Sequence, residues 1–100
     1  ETSLGVALAN VDMPVVDVGA AMTWKPAAIA RSADRHGRPI APGELADLTV
    51  FDPNETWEVV PAELASKSRN TPLIGVPLTG RVKHTVLHGD IVVLDGKAQK

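Results

Sequence analysis

Cysteine is absent from the sequence, and aromatic side chains are limited to Trp24, Phe51 and Trp57. Without cysteine, these 100 residues contain neither a disulfide framework nor a thiolate nucleophile. This composition is compatible with a cytoplasmic location, which is the expectation. A core must rest on Val, Leu, Ile and Ala, which bury less area per side chain than aromatic rings do. An isolated domain is therefore predicted to be only marginally stable.

Long apolar runs and an excess of one charge are also missing. No run of about eighteen apolar residues is present, so no membrane-spanning segment is expected. The net charge is −2, and Arg31, Arg35 and Arg38 come nearest to a basic cluster. They are predicted to form solvated surface, and nucleic acid is not expected as a partner. The first residues, ETSLGVALAN, are typical of the inside of a longer chain.

Residues 1–36 are predicted to form three short helices. The first has Leu4, Ala7 and Leu8 on one face, and the polar residues and proline at 10–14 end it. Helices this apolar need a partner to pack against. We therefore expect residues 1–33 to be helical but poorly supported within this chain, and a larger missing body to cover them.

Capping residues place the second and third helices. Apolar residues 16–24 predict the second helix, with Asp17 as its N-cap. Pro26 is predicted at the first position of the third helix, where its missing N–H costs no hydrogen bond. Gly37 is predicted to terminate that helix.

Residues 37–100 are predicted to be rich in β-strands. The clearest element is a hairpin of residues 81–87 and 90–94 that turns at His88 and Gly89, because β-branched runs flank a glycine. The preceding elements are predicted as a strand over 48–51, a stop at 52–54, a strand over 56–60, one or two helical turns over 61–66, and an irregular segment over 68–80. The chain as a whole is predicted to be α+β.

His84 and His88 are the first candidates for metal ligands. Their spacing would place two ligands on one face of a helix, as in zinc peptidases. The segment is predicted to be a strand, however, and residues four apart on a strand are about 13 Å apart. Neither an HExxH nor an HxH motif is present. Both residues are predicted to be surface histidines on the hairpin.

Asp47 and Asp52 flank the first predicted strand and form the nearest approach to a carboxylate pair for acid–base catalysis. Aspartates beside a strand more often accept hydrogen bonds from nearby backbone N–H groups and so hold turns. We predict that structural role for both.

Hydroxyl groups are concentrated in the segment SKSRNTP at 66–72. A nucleophilic role for Ser66, Ser68 or Thr71 is disfavoured because no G-x-S-x-G turn surrounds them. Lys67 and Arg69 could bind an anion, but they are predicted to be exposed charges.

Several segments of the sequence match the signature of a known family. A helix with Pro-Ala, a glycine-bounded turn and an Ala-Asp strand ending in Asp-Pro resemble the C-terminal signature of the amidohydrolase superfamily. The segment SKSRNTP followed by Gly75, with Leu73 where Phe is usual, resembles dihydroorotases in particular. The matching segments are Glu1-Thr2 with Leu4-Gly5, residues 26–30, 37–43, 46–53 and 66–75, Gly80-Arg81-Val82, Thr85, Gly89 and residues 95–97.

This resemblance implies a fold and a reaction for the parent enzyme. The family fold is a metal-dependent (β/α)₈ barrel with a small β-sandwich built from both chain ends. Residues 1–36 would be the last barrel helices and 37–100 the C-terminal strands of the sandwich. The reaction would be the reversible hydrolysis of dihydroorotate to N-carbamoyl-aspartate in pyrimidine biosynthesis, with zinc-bound hydroxide as nucleophile.

The resemblance assigns no catalytic, cofactor-binding or metal-binding residue to this chain, because the family's ligands and catalytic Asp lie upstream of the Glu1-Thr2 segment. Zinc is expected only in the parent. The expected partner is the remainder of the parent enzyme, with aspartate transcarbamoylase as a further partner of some dihydroorotase-like proteins. The alternatives are a free-standing small β-rich structural or interaction module, and the same segment of a hydantoinase or allantoinase.

Overall fold

The computed structural model describes residues 1–99 and has an α+β architecture, as predicted, in which three short helices precede a four-stranded antiparallel sheet. No helix within this range is long and apolar enough to cross a bilayer. The elements are α1 (Ser3–Asn10), α2 (Val15–Met22), α3 (Trp24–Ile29), β1 (Leu48–Glu58), a 3₁₀ turn (Pro61–Glu63), β2 (Pro77–Leu87), β3 (Asp90–Leu94) and β4 (Lys97–Ala98).

The sheet has the strand order β1-β2-β3-β4, and each strand is antiparallel to its neighbour. The predicted hairpin is confirmed: β2 and β3 are joined at His88 and Gly89, whose φ angles are 52° and 91°. Two consecutive positive φ angles are the conformation that a tight hairpin turn requires. Asp95 and Gly96 repeat this pattern, with φ of 50° and 75°, between β3 and β4.

The predicted stop at 52–54 is wrong, because β1 runs through these residues and is eleven residues long in all. The pairing with β2 instead shifts register between Asp52 and Thr56. Asp52 Oδ1 accepts a hydrogen bond of 2.8 Å from the Asn54 N–H inside this bulge. Pro53 is tolerated because β1 lies at the edge of the sheet, where a missing N–H need not remove a ladder bond. The predicted irregular segment over 68–80 is also partly wrong, since β2 begins at Pro77.

Helix α1 packs directly on β2 through two glycines. A Cβ added to the buried Gly5 would lie 3.2 Å from both the Gly80 carbonyl oxygen and Leu78 Cβ. Gly80 has φ of 99°, and a Cβ there would lie 2.4 Å from Leu8 Cδ1. A side chain at Gly80 would force Leu8 to move, and one at Gly5 would fit only tightly, so helix and strand approach each other closely. Trp57 Nε1 donates a 3.0 Å hydrogen bond to the Gly80 carbonyl and reinforces this contact.

Helices α2 and α3 contact each other, and α2 also contacts α1. Val18 and Ala20 of α2 and Ala27 of α3 are buried. The prediction of Asp17 as N-cap is wrong: α2 begins at Val15, and Pro14 is in the capping position. Asp17 lies in the first turn, where a carboxylate still interacts favourably with the helix dipole.

The predicted bounds of α3 are also wrong. The helix begins at Trp24, so Pro26 is its third residue, and it ends at Ile29. Arg31, with φ of 55°, reverses the chain well before Gly37. Gly37 itself has φ of 65°, and a Cβ there would lie 2.6 Å from Trp24 Cα. Gly37 therefore permits a close return of the loop onto α3 and does not terminate the helix.

Candidate functional site

The first candidate cluster joins the hairpin turn to the start of β1. The His88 N–H donates a 2.6 Å hydrogen bond to Asp47 Oδ1, and His88 Nε2 lies 3.7 Å from Asp47 Oδ2. The Gly89 N–H donates to the Ala46 carbonyl at 3.1 Å. The prediction that Asp47 holds a turn is confirmed, although the turn lies 41 residues away in sequence.

His84 has a different carboxylate neighbour. Its Nδ1 accepts a 3.3 Å hydrogen bond from the Asp95 N–H, and its Nε2 lies 3.8 Å from Asp95 Oδ1. The structure therefore pairs each histidine with its own aspartate at a turn. Across residues 1–99, His, Cys, Asp and Glu side chains form no group of three or more that could hold a metal ion. The described residues thus do not fit the zinc of the parent family.

The hydroxyl groups of SKSRNTP serve as local acceptors. Ser66 Oγ accepts a hydrogen bond of 3.3 Å from the Ser68 N–H, and Ser68 Oγ accepts one of 3.4 Å from the Asn70 N–H. Thr71 Oγ1 accepts the Leu73 N–H at 3.3 Å. Three successive side-chain-to-backbone bonds of this kind shape a loop that lacks regular secondary structure.

Arg69 is more than the exposed charge that the sequence predicted. Its Nη1 donates to the carbonyl oxygens of Pro61 and Leu64, at 2.5 and 2.6 Å. Glu1 Oε1 accepts a 2.7 Å hydrogen bond from the Ala65 N–H. This part of the chain therefore links the loop after β1 to the first residue of the sequence, a contact that no spacing in the sequence indicated.

A second cluster missed by the sequence surrounds the bulge in β1. Glu55 Oε1 lies 3.1 Å from Arg81 Nη1, Glu55 Oε2 forms an ion pair with Lys83, and the Arg81 guanidinium lies 5.5 Å from the centre of the Trp57 ring. The Lys83 hydrogen bond lowers the pKa of the Glu55 carboxyl; partial desolvation opposes the shift, and Arg81 supports it. Glu55 reaches these two cations because the bulge changes the register of β1.

The glycine-bounded turn at 37–43 is held by a bidentate ion pair. Arg38 Nη2 and Nε lie 2.5 and 2.8 Å from the two carboxylate oxygens of Glu44. This hydrogen bond raises the pKa of Arg38 and lowers the pKa of Glu44. An open cleft of 540 Å³ lies beside the pair and extends to His88. Its charged side chains are already paired with one another, Arg38 with Glu44 and His88 with Asp47. The cleft therefore offers no free charged group of these four for binding or catalysis.

Comparison with known proteins supplies the family. No protein-family model matches the chain. A dihydroorotase from Mycobacterium tuberculosis is 42% identical over 101 residues, covering 97% of this chain and 23% of the relative. A dihydroorotase from Streptomyces coelicolor is 46% identical with the same coverage. One from Sulfurihydrogenibium sp. is 57% identical over 56 residues, covering 56% of this chain and 13% of the relative.

These matches show that the chain is related over nearly its whole length to part of an enzyme. More narrowly, the chain is homologous to the C-terminal portion of dihydroorotases. The chain spans about a quarter of the length of the relatives from Mycobacterium and Streptomyces.

The family-like segments of the sequence meet one another in space. Gly5 of the first segment packs on Gly80, and Glu1 binds the N–H of Ala65, one residue before SKSRNTP. Asp47 of the Ala-Asp strand accepts the hairpin-turn N–H next to Gly89. The resemblance therefore corresponds to a set of packing and hydrogen-bonding contacts that stabilise the fold.

Proposed function

We propose that this chain is the non-catalytic C-terminal segment of a dihydroorotase-like enzyme. Residues 1–36 would complete the barrel, and 37–100 would supply the C-terminal strands of its small β-sandwich. The parent would catalyse the reversible hydrolysis of dihydroorotate to N-carbamoyl-aspartate, with zinc bound by residues outside this chain. The segment would contribute stability and shape to that enzyme. A cytoplasmic location is part of the proposal, since the cysteine-free sequence needs no oxidising compartment.

The observation that carries the proposal is the amount of exposed surface. The chain exposes 7346 Å², whereas a self-contained protein of 10.5 kDa exposes about 5,400 Å². The excess of roughly 1,900 Å² is larger than the approximately 800 Å² that one partner buries in a standard interface. Only five hydrophobic residues in the described range are buried: Val18, Ala20, Ala27, Val59 and Leu78. This is the surface expected of a segment that packs on a larger body.

The exposed apolar side chains point to where that body would pack. Val16 on α2 is 72% exposed and Ile29 on α3 is 84% exposed, while Ile40 in the following loop is 88% exposed. Exposed apolar side chains of this size mark a packing surface where they lie together. The partner that fits is the remaining three quarters of a dihydroorotase-like chain, because the match covers only 23% of the relative from Mycobacterium tuberculosis.

Zinc content separates the segment from the enzyme. We expect the purified 100-residue chain to bind no stoichiometric zinc, because residues 1–99 offer no converging set of ligands. Elemental analysis after dialysis checks this. About one tightly held zinc per chain would contradict it.

The intact mass of the protein isolated from its source tests the proposal itself. A native chain about four times longer that hydrolyses dihydroorotate supports it, and a panel of hydantoin and allantoin substrates distinguishes the related enzymes. In that longer chain, Val16→Asp should abolish folding or activity, while Lys67→Asp, on the exposed loop, should leave both intact. A native chain of only this length would instead indicate a free-standing module.

A further inference from the structure

The segment between β1 and β2 forms a closed loop, which we call the 60–73 loop. Its base is closed by a parallel bridge between Val59 and Ile74. Val59 is 3% exposed, so the base is anchored in the small core. Within the loop, the only regular element among the described residues is the 3₁₀ turn Pro61–Glu63.

Arg69 joins the two sides of this loop. Its guanidinium donates to the carbonyls of Pro61 and Leu64, which lie at and just after the 3₁₀ turn. Carbonyls at the end of a helical turn have no partner within the turn and need one from elsewhere. Hydrogen bonds from a charged guanidinium are stronger than those between neutral groups, so one side chain fixes the separation of the two sides.

The peptide unit between Leu64 and Ala65 connects Arg69 to Glu1. Its carbonyl oxygen accepts from Arg69 at 2.6 Å, and its N–H donates to Glu1 Oε1 at 2.7 Å. A cation on the oxygen and an anion on the N–H polarise the same peptide group in the same direction, so each hydrogen bond strengthens the other. The three groups form one coupled chain, Arg69 to peptide to Glu1.

We propose that Arg69 is a positioning residue: through the 64–65 peptide it holds Glu1, where the preceding part of a dihydroorotase-like chain joins this segment. The inference rests on the proposed function. The matched relatives extend over about four times this length, so about three quarters of such an enzyme would enter through Glu1. The contact fixes that entry point to the 60–73 loop and, through Val59, to the sheet.

The consequence for the parent enzyme is geometric. Arg69 touches no reacting atom in this account, but a displacement of about 1 Å originating far from the chemistry can lower the rate up to about 100-fold. Losing the Arg69 contact should therefore reduce turnover more than substrate binding, and a lysine should restore much of it because its ammonium can still donate to both carbonyls.

The test uses the full-length protein with Arg69→Gln, Arg69→Lys, Glu1→Ala and the double variant Arg69→Gln/Glu1→Ala. Lys67→Gln is the matched control, since it removes a positive charge from the same loop. Within residues 1–99 the Lys67 side chain makes no hydrogen bond or ion pair. Steady-state kcat and KM for dihydroorotate are measured together with hydrogen exchange at the Ala65 amide.

We expect Arg69→Gln and Glu1→Ala each to lower kcat about tenfold, with KM changed less than twofold. The double variant should fall no further than the single ones, because both remove the same coupled contact. Arg69→Lys should recover most of kcat, and Lys67→Gln should match the wild type. Exchange at Ala65 should accelerate about tenfold in both single variants.

Independent, multiplicative losses in the double variant would overturn the proposal, as would Arg69→Gln indistinguishable from Lys67→Gln. If the full-length wild type has no activity on dihydroorotate, the proposed function fails, and exchange at Ala65 decides the inference alone. Faster exchange in both Arg69→Gln and Glu1→Ala supports the coupled contact, whereas unchanged exchange in either refutes it.

Discussion

The strands of the sheet have their hydrogen-bonding partners within this chain, whereas helices α2 and α3 leave apolar side chains without packing partners among the described residues. In the sheet, β1 pairs with β2 from Leu48 opposite Val86 to Glu58 opposite Pro77, and the hairpin adds β3 and β4. Strands of one chain satisfy one another's backbone groups. Within residues 1–99, helices α2 and α3 form hydrogen bonds only within themselves and at their ends, and they leave Val16 and Ile29 exposed to solvent. Hydrogen bonds within a helix do not by themselves fix its position in the fold; side-chain packing is also needed.

Helix α1 shows that the division does not follow secondary structure. It is helical and near the start of the chain, yet it packs on β2 through Gly5 and Gly80. The sequence predicted weak support for the whole of residues 1–33. The structure removes α1 from that description, because α1 packs on β2 within the described residues. For α2 and α3 weak support stays a prediction.

Truncating one apolar side chain in each region should give the largest contrast. In the isolated chain, Leu78→Ala should lower the free energy of unfolding by about 2–5 kcal/mol, because Leu78 is 3% exposed. Ile29→Ala should change it by less than about 0.5 kcal/mol, since Ile29 is 84% exposed. Urea unfolding followed by tryptophan fluorescence measures both. Equal losses would show that Ile29 is packed in solution and would contradict its exposed position.

Gly37→Ala should disturb the helical region selectively. Its φ of 65° disfavours a side chain, and the new Cβ would lie 2.6 Å from Trp24 Cα, which is backbone and cannot move aside cheaply. We expect a loss of about 1–3 kcal/mol, appearing as faster amide exchange in α3 with the hairpin unaffected. Gly43→Ala is the control, because its φ of 88° imposes strain while the space around it is open. Equal effects of the two variants would show that the contact with Trp24 is unimportant.

The smallest effect should be a pH dependence located in the sheet. The Lys83 hydrogen bond lowers the pKa of Glu55 in the folded state. The stabilisation is therefore present above the ordinary carboxyl pKa of about 4.3 and is lost as the pH falls through the lowered folded-state value. Glu55→Gln should be less stable than the wild type at neutral pH and should lose less stability on acidification. Parallel melting-temperature curves from pH 7 to pH 3 would contradict the role of this ion pair.

Local signals were sufficient to predict the hairpin, since His88 and Gly89 are adjacent and flanked by β-branched runs. They failed at 52–54, because Asp-Pro-Asn is typical both of a strand end and of a bulge in an edge strand. Only the pairing with β2 distinguishes these two cases.

Contacts between distant residues were not predictable in the same way. Glu55 meets Arg81 and Lys83 only because of the register shift, and Arg69 meets Leu64 only after the loop has closed. The turn-holding role of Asp47 was correct in kind, but its partner, 41 residues away, was not foreseen. The sequence indicated what kind of interaction a side chain would make, whereas its partner became known only from the fold.

Amide hydrogen exchange across the chain is the most direct test of the central claim that α2 and α3 lack their partner here. In the isolated chain, shown to be monomeric, residues 82–94 should exchange slowly and residues 15–29 rapidly, because the latter form short helices without strand pairing and leave Val16 and Ile29 exposed. In the full-length protein residues 15–29 should become protected. Slow exchange throughout 15–29 in the isolated monomer, equal to that of the hairpin, would show that the chain is self-sufficient and would contradict the account.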